Sequence, residues 1–185
     1  MEKAVRGGTR SPEGRRLEPV VCGTPCGGGG GNSDYPGASC NRRRSAQECW
    51  DAADECGAPM GAIPGGEPLI HPEIHVIADE LLKRKKFVYL CTNALLLEKK
   101  LENFKPSPYF SWAVHMDRLQ ERHDASVERE GVFDKAVAAI KAAKAAGFRV
   151  TTNTTFFTQD SPKTVREVLD FLNDDLEVDE MMISP

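Results

Sequence analysis

From Ser45 onward the apolar positions switch back and forth between a helical spacing and a strand-like one. SAQECWDAADECG sets Ser45 and Glu48 in capping-box spacing and stops at Gly57, which predicts a helix with both ends marked. APMGAI (58–63) predicts a short buried strand. HPEIHVIADELLKRK predicts a helix with Pro72 in its first turn and Ile74, Ile77, Ala78, Leu81 and Leu82 on one apolar face. FVYLC (87–91) is rich in strand formers. The alternation then repeats. LLLEKKLENF is a short helix, YFSWAVHM a strand, and GVFDKAVAAIKAAKAAG a helix of high propensity ending at Gly147. FRVTTNTTFF is a strand, SPKTVREVLDFLNDD a helix capped by Ser161 with Pro162 at its first position, and VDEMMIS a last strand. Residues 17–21 add one weaker strand.

Strand and helix in strict alternation imply right-handed crossovers and an α/β fold with a parallel sheet. Such sheets place their chemistry beyond the carboxyl ends of the strands. In this chain those ends carry PGGEP after Ile63, CTNA at Cys91, HMD after Val114, TNTT within the fourth strand and SP after Ile183. Turn and capping needs account for part of that polarity.

Length and charge narrow the picture. The chain has 185 residues, enough for one domain with a sizeable core, and no apolar run near the roughly 18 residues that a membrane span needs. Its net charge of −4 hides a basic N-terminus: residues 1–44 hold eight Lys/Arg against four acids. Those arginines are scattered among Gly, Pro and Ser with no helical stripe, which marks 1–16 as a disordered arm and argues against nucleic-acid binding. The N-terminus lacks the apolar segment of a signal peptide, so a cytoplasmic location is expected. Six cysteines in a reducing compartment call for metal ligation, redox chemistry or burial. Cys49 and Cys56, seven apart on a predicted helix, are assigned to the core.

Four stretches carry candidate chemistry. CGTPCGGGGG (22–31) reads as a metal loop, a phosphate cradle or a linker, and the phosphate reading lacks the Lys-Ser/Thr that a P-loop needs after its glycines. PGGEP offers backbone freed by Gly65 and Gly66 for close approach to a ligand, with Glu67 as a fixed acceptor. His71 and His75 stand four apart without the Glu or third ligand of a zinc site, and read as a surface pair or a capping residue. His115 and Asp117, two apart on a strand, share a face.

DECGAPMGAIPGGEPLIHPEI, KKFVYLCTNALLLEKKL, FKPSPYF and GVFDKAVAAIKAAKAAGFRVT, in this order, resemble the radical S-adenosylmethionine (SAM) protein of hopanoid biosynthesis, the adenosyl-hopene transferase family. The resemblance covers residues 17–185 and is close from Ser45 onward. It implies a partial (β/α)6 barrel over 17–185, with parallel strands inside outer helices, a [4Fe-4S] cluster and SAM. It further implies addition of a 5′-deoxyadenosyl radical to a pentacyclic hopene, with a flavodoxin- or ferredoxin-type electron donor and peripheral contact with the inner face of the membrane. By resemblance, Gly65, Gly66, Glu67 and Pro68 bind the SAM ammonium, while Thr92, Asn93, His115, Asp117 and Asn153 line the SAM and substrate cavity. Cys91 is a candidate hydrogen-atom donor to the substrate radical, and a buried strand cysteine is the competing reading.

The family's cluster loop is CxxxCxxC, three thiolates that leave one iron open to SAM. Cys22 and Cys26 satisfy the first two positions and Gly29 occupies the third. Cys40 has no ligand-like spacing. The alternative function is therefore a cluster-less α/β domain, a degenerate or frame-slipped copy that retains at most SAM or ligand binding. Ending at MMISP, directly after the last strand, the chain is expected to be a fragment that lacks the family's C-terminal portion.

Overall fold

The computed structural model describes residues 44–64, 66–116, 119, 131–158 and 160–184. The N-terminal arm, the strand expected at 17–21 and the cysteine-glycine stretch lie outside the described residues.

Five strands form one parallel sheet in sequential order: β1 (Met60–Ile63), β2 (Phe87–Thr92), β3 (Phe110–His115), β4 (Arg149–Thr155) and β5 (Glu180–Ser184). Because each strand pairs with the next in the chain, right-handed crossovers carry every connecting helix to the same side. The sheet curls into a half-barrel with helices outside and an inner face left for ligands. The expected partial barrel is thus the observed architecture.

Helix α1 (Ala46–Cys56) precedes β1. Ser45 Oγ accepts from the Glu48 amide at 3.3 Å, and the Glu48 carboxylate accepts from the Ser45 amide at 2.8 Å. Gly57, at φ 67°, closes the helix in a left-handed conformation open to glycine at little cost. α2 (Ile74–Lys83) buries the expected Ile74, Ile77, Ala78 and Leu81, with Leu82 half-buried. It begins at Ile74, so Pro72 stands in the turn before it and not within its first turn. The short α3 (Leu97–Lys100) follows β2, α4 (Val132–Ala145) follows β3, and α5 (Pro162–Asp170), capped by Ser161, runs into a π turn over Phe171–Asp175.

Pairing register sorts the side chains into two faces, since residues alternate along each strand. Val88 and Leu90, Phe110, Trp112 and Val114, and Val150 point to the helices, where all six are buried. Phe104, Phe110, Trp112 and Phe148 pack there with centroid separations from 4.7 to 6.1 Å. On α4 the buried Ala136, Ala139 and Ala143 present small side chains to this layer, which lets the helix approach the bulky aromatics of the sheet closely. Tyr89, Cys91, Ser111, His115, Arg149, Thr151, Asn153 and Glu180 occupy the opposite, inner face.

Two expectations are corrected. β1 is not buried: Met60 is 57% exposed and only Ile63 is covered, because the strand sits at the edge of the described sheet with β2 as its sole neighbour there. Cys49 is in the core, but Cys56 is exposed. The residues of α1 that reach the core, Ala46, Cys49, Trp50 and Ala53, end one turn before it.

Candidate functional site

At the carboxyl end of β1 the chain turns through Pro64, Gly66 and Glu67 into a single 3-10 turn, Pro68–Ile70. Glu67 caps that turn, its Oε1 accepting from the Leu69 amide at 3.0 Å. The same carboxylate crosses to the end of β2. The Thr92 hydroxyl donates to it at 2.9 and 3.0 Å, and the Asn93 amide donates to Oε2 at 2.9 Å. Three donors thus immobilise a carboxylate that is only 6% exposed. A carboxylate has about four acceptor sites, so it keeps capacity for a further donor such as an ammonium.

The end of β2 is shaped to make this contact. Thr92 Oγ1 accepts from the Ala94 amide at 3.1 Å and Asn93 Oδ1 from the Leu95 amide at 3.0 Å. Ala94 sits at φ 65°, a left-handed conformation that costs a non-glycine residue about 1–2 kcal/mol. That local strain accompanies the turn of the Asn93 N–H toward Glu67. Thr92 is buried, its hydroxyl engaged with Glu67 and Ala94; it positions the carboxylate. Asn93 and Glu67 line a cleft of about 330 Å³ together with Ile70, Leu95, Leu96, Lys99 and Lys135. Pro68 is buried in the 3-10 turn.

Cys91 and Thr92 point to opposite faces of β2, so these two neighbouring candidates are separated. The half-buried Cys91 faces the interior of the half-barrel. Burial pushes its thiol pKa up, and the Glu67 charge pushes it further the same way, so the sulfur holds its proton at neutral pH. His115 and Asn153 are register partners on β3 and β4 on this same inner face, His115 half-buried and Asn153 exposed. Gly65 and Asp117 lie outside the described residues, and with Asp117 so does the expected His115–Asp117 pairing.

Below these groups, toward the amino ends of the strands, lies a polar floor that sequence reasoning did not find. Tyr89 donates to Glu180 at 2.8 Å, Arg149 donates to Glu180 at 3.2 Å, and Thr151 donates to Glu180 at 3.3 Å. Ser111 and Thr151 share a hydrogen bond at 2.8 Å. Burial and then the Glu180 bond raise the Tyr89 pKa, keeping the phenol a donor. The signal was present as polar residues at alternate strand positions, but only the register brings four strands' worth of them together.

His71 is neither a surface residue nor the side-chain cap of α2; it is buried and braces the turn before that helix. Its Nδ1 accepts from the Glu73 amide at 3.1 Å ahead of α2, which makes Nε2 the protonated nitrogen that donates to the Arg44 carbonyl at 2.9 Å. His75 packs its ring edge-on to Phe104. Among the described residues no group of three or more His, Cys, Asp or Glu could hold a metal. Cys22 and Cys26 lie outside them, and with Gly29 at the third position the chain supplies two of the three thiolates that a [4Fe-4S] cluster of this type takes. That set does not fit the cluster. The Glu67 carboxylate, by contrast, fits an ammonium such as the one SAM carries.

Residues 31–172 match the Radical SAM superfamily, a region that begins after Cys22 and Cys26. GTP 3′,8-cyclase 1 of Mycobacterium tuberculosis is 31% identical over 98 residues, which are 50% of this chain and 27% of that protein. The chain therefore spans about a quarter of the length of the curated relatives it matches. Among solved structures, Streptococcus suis SuiB bound to S-adenosylmethionine aligns with TM-score 0.63 at 21% identity, over 77% of this chain and 34% of SuiB. Another SuiB structure aligns with TM-score 0.67 at 20% identity, over 91% and 40%. TYW1 with a lysine-pyruvate adduct aligns with TM-score 0.52 at 14% identity, over 76% and 49%. These likenesses support the fold, whose family works with a [4Fe-4S] cluster and SAM. With most of its length matched, the chain belongs to the Radical SAM superfamily.

Proposed function

We propose that this chain is the core of a radical SAM enzyme that binds SAM at the Glu67 turn and transfers its adenosyl group to a hopene-type pentacyclic triterpene. The observation that carries the SAM part is the Glu67 carboxylate, fixed by Leu69, Thr92 and Asn93 with acceptor capacity left for an ammonium. The hopene part rests on the resemblance of the 54–151 segments to the adenosyl-hopene transferase family. The proteins found by comparison include a GTP cyclase, the SuiB enzyme, one structure of which holds its precursor peptide SuiA, and TYW1.

In this family the cluster and SAM together supply an adenosyl radical. What this chain's own residues contribute follows from their placement. Glu67 holds the amino end of SAM, a role that the resemblance extends to the Gly65 and Gly66 backbone. Asn153 and His115, at the open carboxyl end of the inner face, line the space for the substrate. Were a bound cluster to supply the adenosyl radical, Cys91, whose protonated S–H faces the inner space, would be the residue placed to give a hydrogen atom to the carbon radical left by its addition to the alkene, the thiyl returning to thiol with one electron from a flavodoxin- or ferredoxin-type donor and one proton from solvent.

Gly29 favours a second reading, an α/β domain that binds SAM and holds no cluster. Anaerobic reconstitution with iron and sulfide separates the two. About four irons per chain, with 5′-deoxyadenosine formed from SAM and an adenosylated hopene on addition of the triterpene, supports the enzyme. SAM binding that is lost in Glu67→Ala, with neither iron uptake nor 5′-deoxyadenosine, supports the domain. Release of 5′-deoxyadenosine without any triterpene adduct would overturn the hopene assignment alone. Among the described residues no helix is long and apolar enough to cross a membrane, so contact of this region with a membrane-resident substrate would be peripheral.

A further inference from the structure

The cleft beside Glu67 has a chemical asymmetry that neither a SAM ammonium nor a hydrocarbon uses. Its walls are Ile70, Leu95 and Leu96, and its polar lining is Glu67, Asn93, Lys99 and Lys135. Glu67 already accepts from three donors. Neither lysine has an ion-pair or hydrogen-bond partner among the described residues, and the Asn93 side chain uses its oxygen on Leu95 while its NH2 donates to no described group. Two ammonium groups and an amide NH2 therefore stand against one carboxylate that three donors already hold. Lys135 lies in the first turn of α4, whose helix dipole adds positive potential at that end. A volume of about 330 Å³ falls within the range of small-molecule clefts, about 300–1,000 Å³.

We propose that this cleft binds an amphiphilic anion, a single phosphate or carboxylate headgroup on an apolar body. Lys99 and Lys135 pair with the headgroup, the Asn93 NH2 donates to it, and Ile70, Leu95 and Leu96 cover the apolar part. Ile70 is 44% exposed, an apolar surface that such a ligand would remove from water. The site needs neither a cluster nor turnover, so it stands or falls separately from the adenosyl-transfer reading.

The test is a titration of the full chain, without cluster, followed through backbone amide NMR shifts. The probes are octyl phosphate, octanoate, inorganic phosphate and octyltrimethylammonium, each below its micelle concentration. Octyl phosphate and octanoate are expected to give saturating shifts at Ile70, Asn93, Leu95 and Leu96, their ratio ranking phosphate against carboxylate. Inorganic phosphate should bind about tenfold more weakly or worse, and the cation should not bind. Because both lysines are exposed and each ion pair is correspondingly weak, Lys99→Gln/Lys135→Gln should weaken octyl phosphate binding about tenfold. Both lysines are exposed, and an unchanged amide spectrum in the double variant verifies its fold. Absence of saturation, equal binding by the double variant, or equal binding of the cation would overturn the proposal. So would competitive displacement of octyl phosphate by SAM, which would give the cleft to the cofactor.

Discussion

At the scale of single residues, the contrast between Cys91 and Cys56 is the most informative. Both are cysteines at element ends, yet one faces the interior beside a buried carboxylate and the other lies in solvent. Alkylation requires thiolate, and burial together with the Glu67 charge disfavours thiolate at Cys91. Iodoacetamide at pH 8, with sites mapped by mass spectrometry, should label Cys56 well before Cys91, and Glu67→Gln should speed labelling of Cys91 by removing the charge. In a chain carrying a working cluster, Cys91→Ala should leave SAM cleavage, read as methionine release, intact while saturated product is lost; unchanged product yield would exclude the hydrogen-donor role. The sequence placed Glu67 and Asn93 at strand ends because turn chemistry is local. It held no hint that the Glu67 carboxylate is held in place by Thr92 and Asn93, because that contact spans 25 residues and depends on how β1 and β2 pair.

Elements were legible where their signals are local. The Ser45–Glu48 box, the left-handed Gly57 and Gly147, and Ser161 before Pro162 mark helix ends through backbone groups that need partners within a turn. Burial was misjudged where it depends on neighbours: Met60 on an edge strand and Cys56 past the covered stretch of α1. The start of β5 shows how such neighbours bind elements together. Asp179 accepts from the Val150 amide at 2.8 Å and from Lys144 at 2.9 Å, tying the approach to β5 to both β4 and α4. Burial alone would raise the Asp179 pKa, but the Val150 bond and the Lys144 and Arg149 charges together outweigh it and hold the pKa below the usual carboxylate value. A lowered carboxylate pKa means stability that is fully present above about pH 4 and lost as pH falls through the folded-state value. Denaturant melts between pH 7 and 3 should therefore show wild type losing more stability on acidification than Asp179→Asn. At pH 7 the variant should be weaker by roughly 1.5–3 kcal/mol, the range for hydrogen bonds to a charged group. Parallel pH curves for the two proteins would show that Asp179 contributes nothing through its charge.

For the whole molecule, fold and cluster loop carry different messages. Sequential parallel strands, with helices on one side and a polar inner face, are what a radical SAM half-barrel needs to enclose a substrate, and the alternation of strand and helix patterns makes that legible in the sequence alone. The loop at 22–29 departs from it at one position. Two thiolates leave two of four irons without protein ligands, and SAM can take only one of those, so the native chain should retain a substoichiometric, labile cluster. Gly29→Cys restores the third thiolate at the spacing the family uses. Anaerobically reconstituted Gly29→Cys should approach about four irons per chain and show reductive cleavage of SAM above the level of the native chain. Gly29→Ser, matched in size but a poor ligand for iron, should behave like the native chain and so rule out a steric effect. If the native chain already binds four irons, another residue supplies the ligand and Gly29 is no lesion. If Gly29→Cys binds no more iron than the native chain, the defect lies beyond the third ligand, and the cluster-less domain becomes the correct description of this protein.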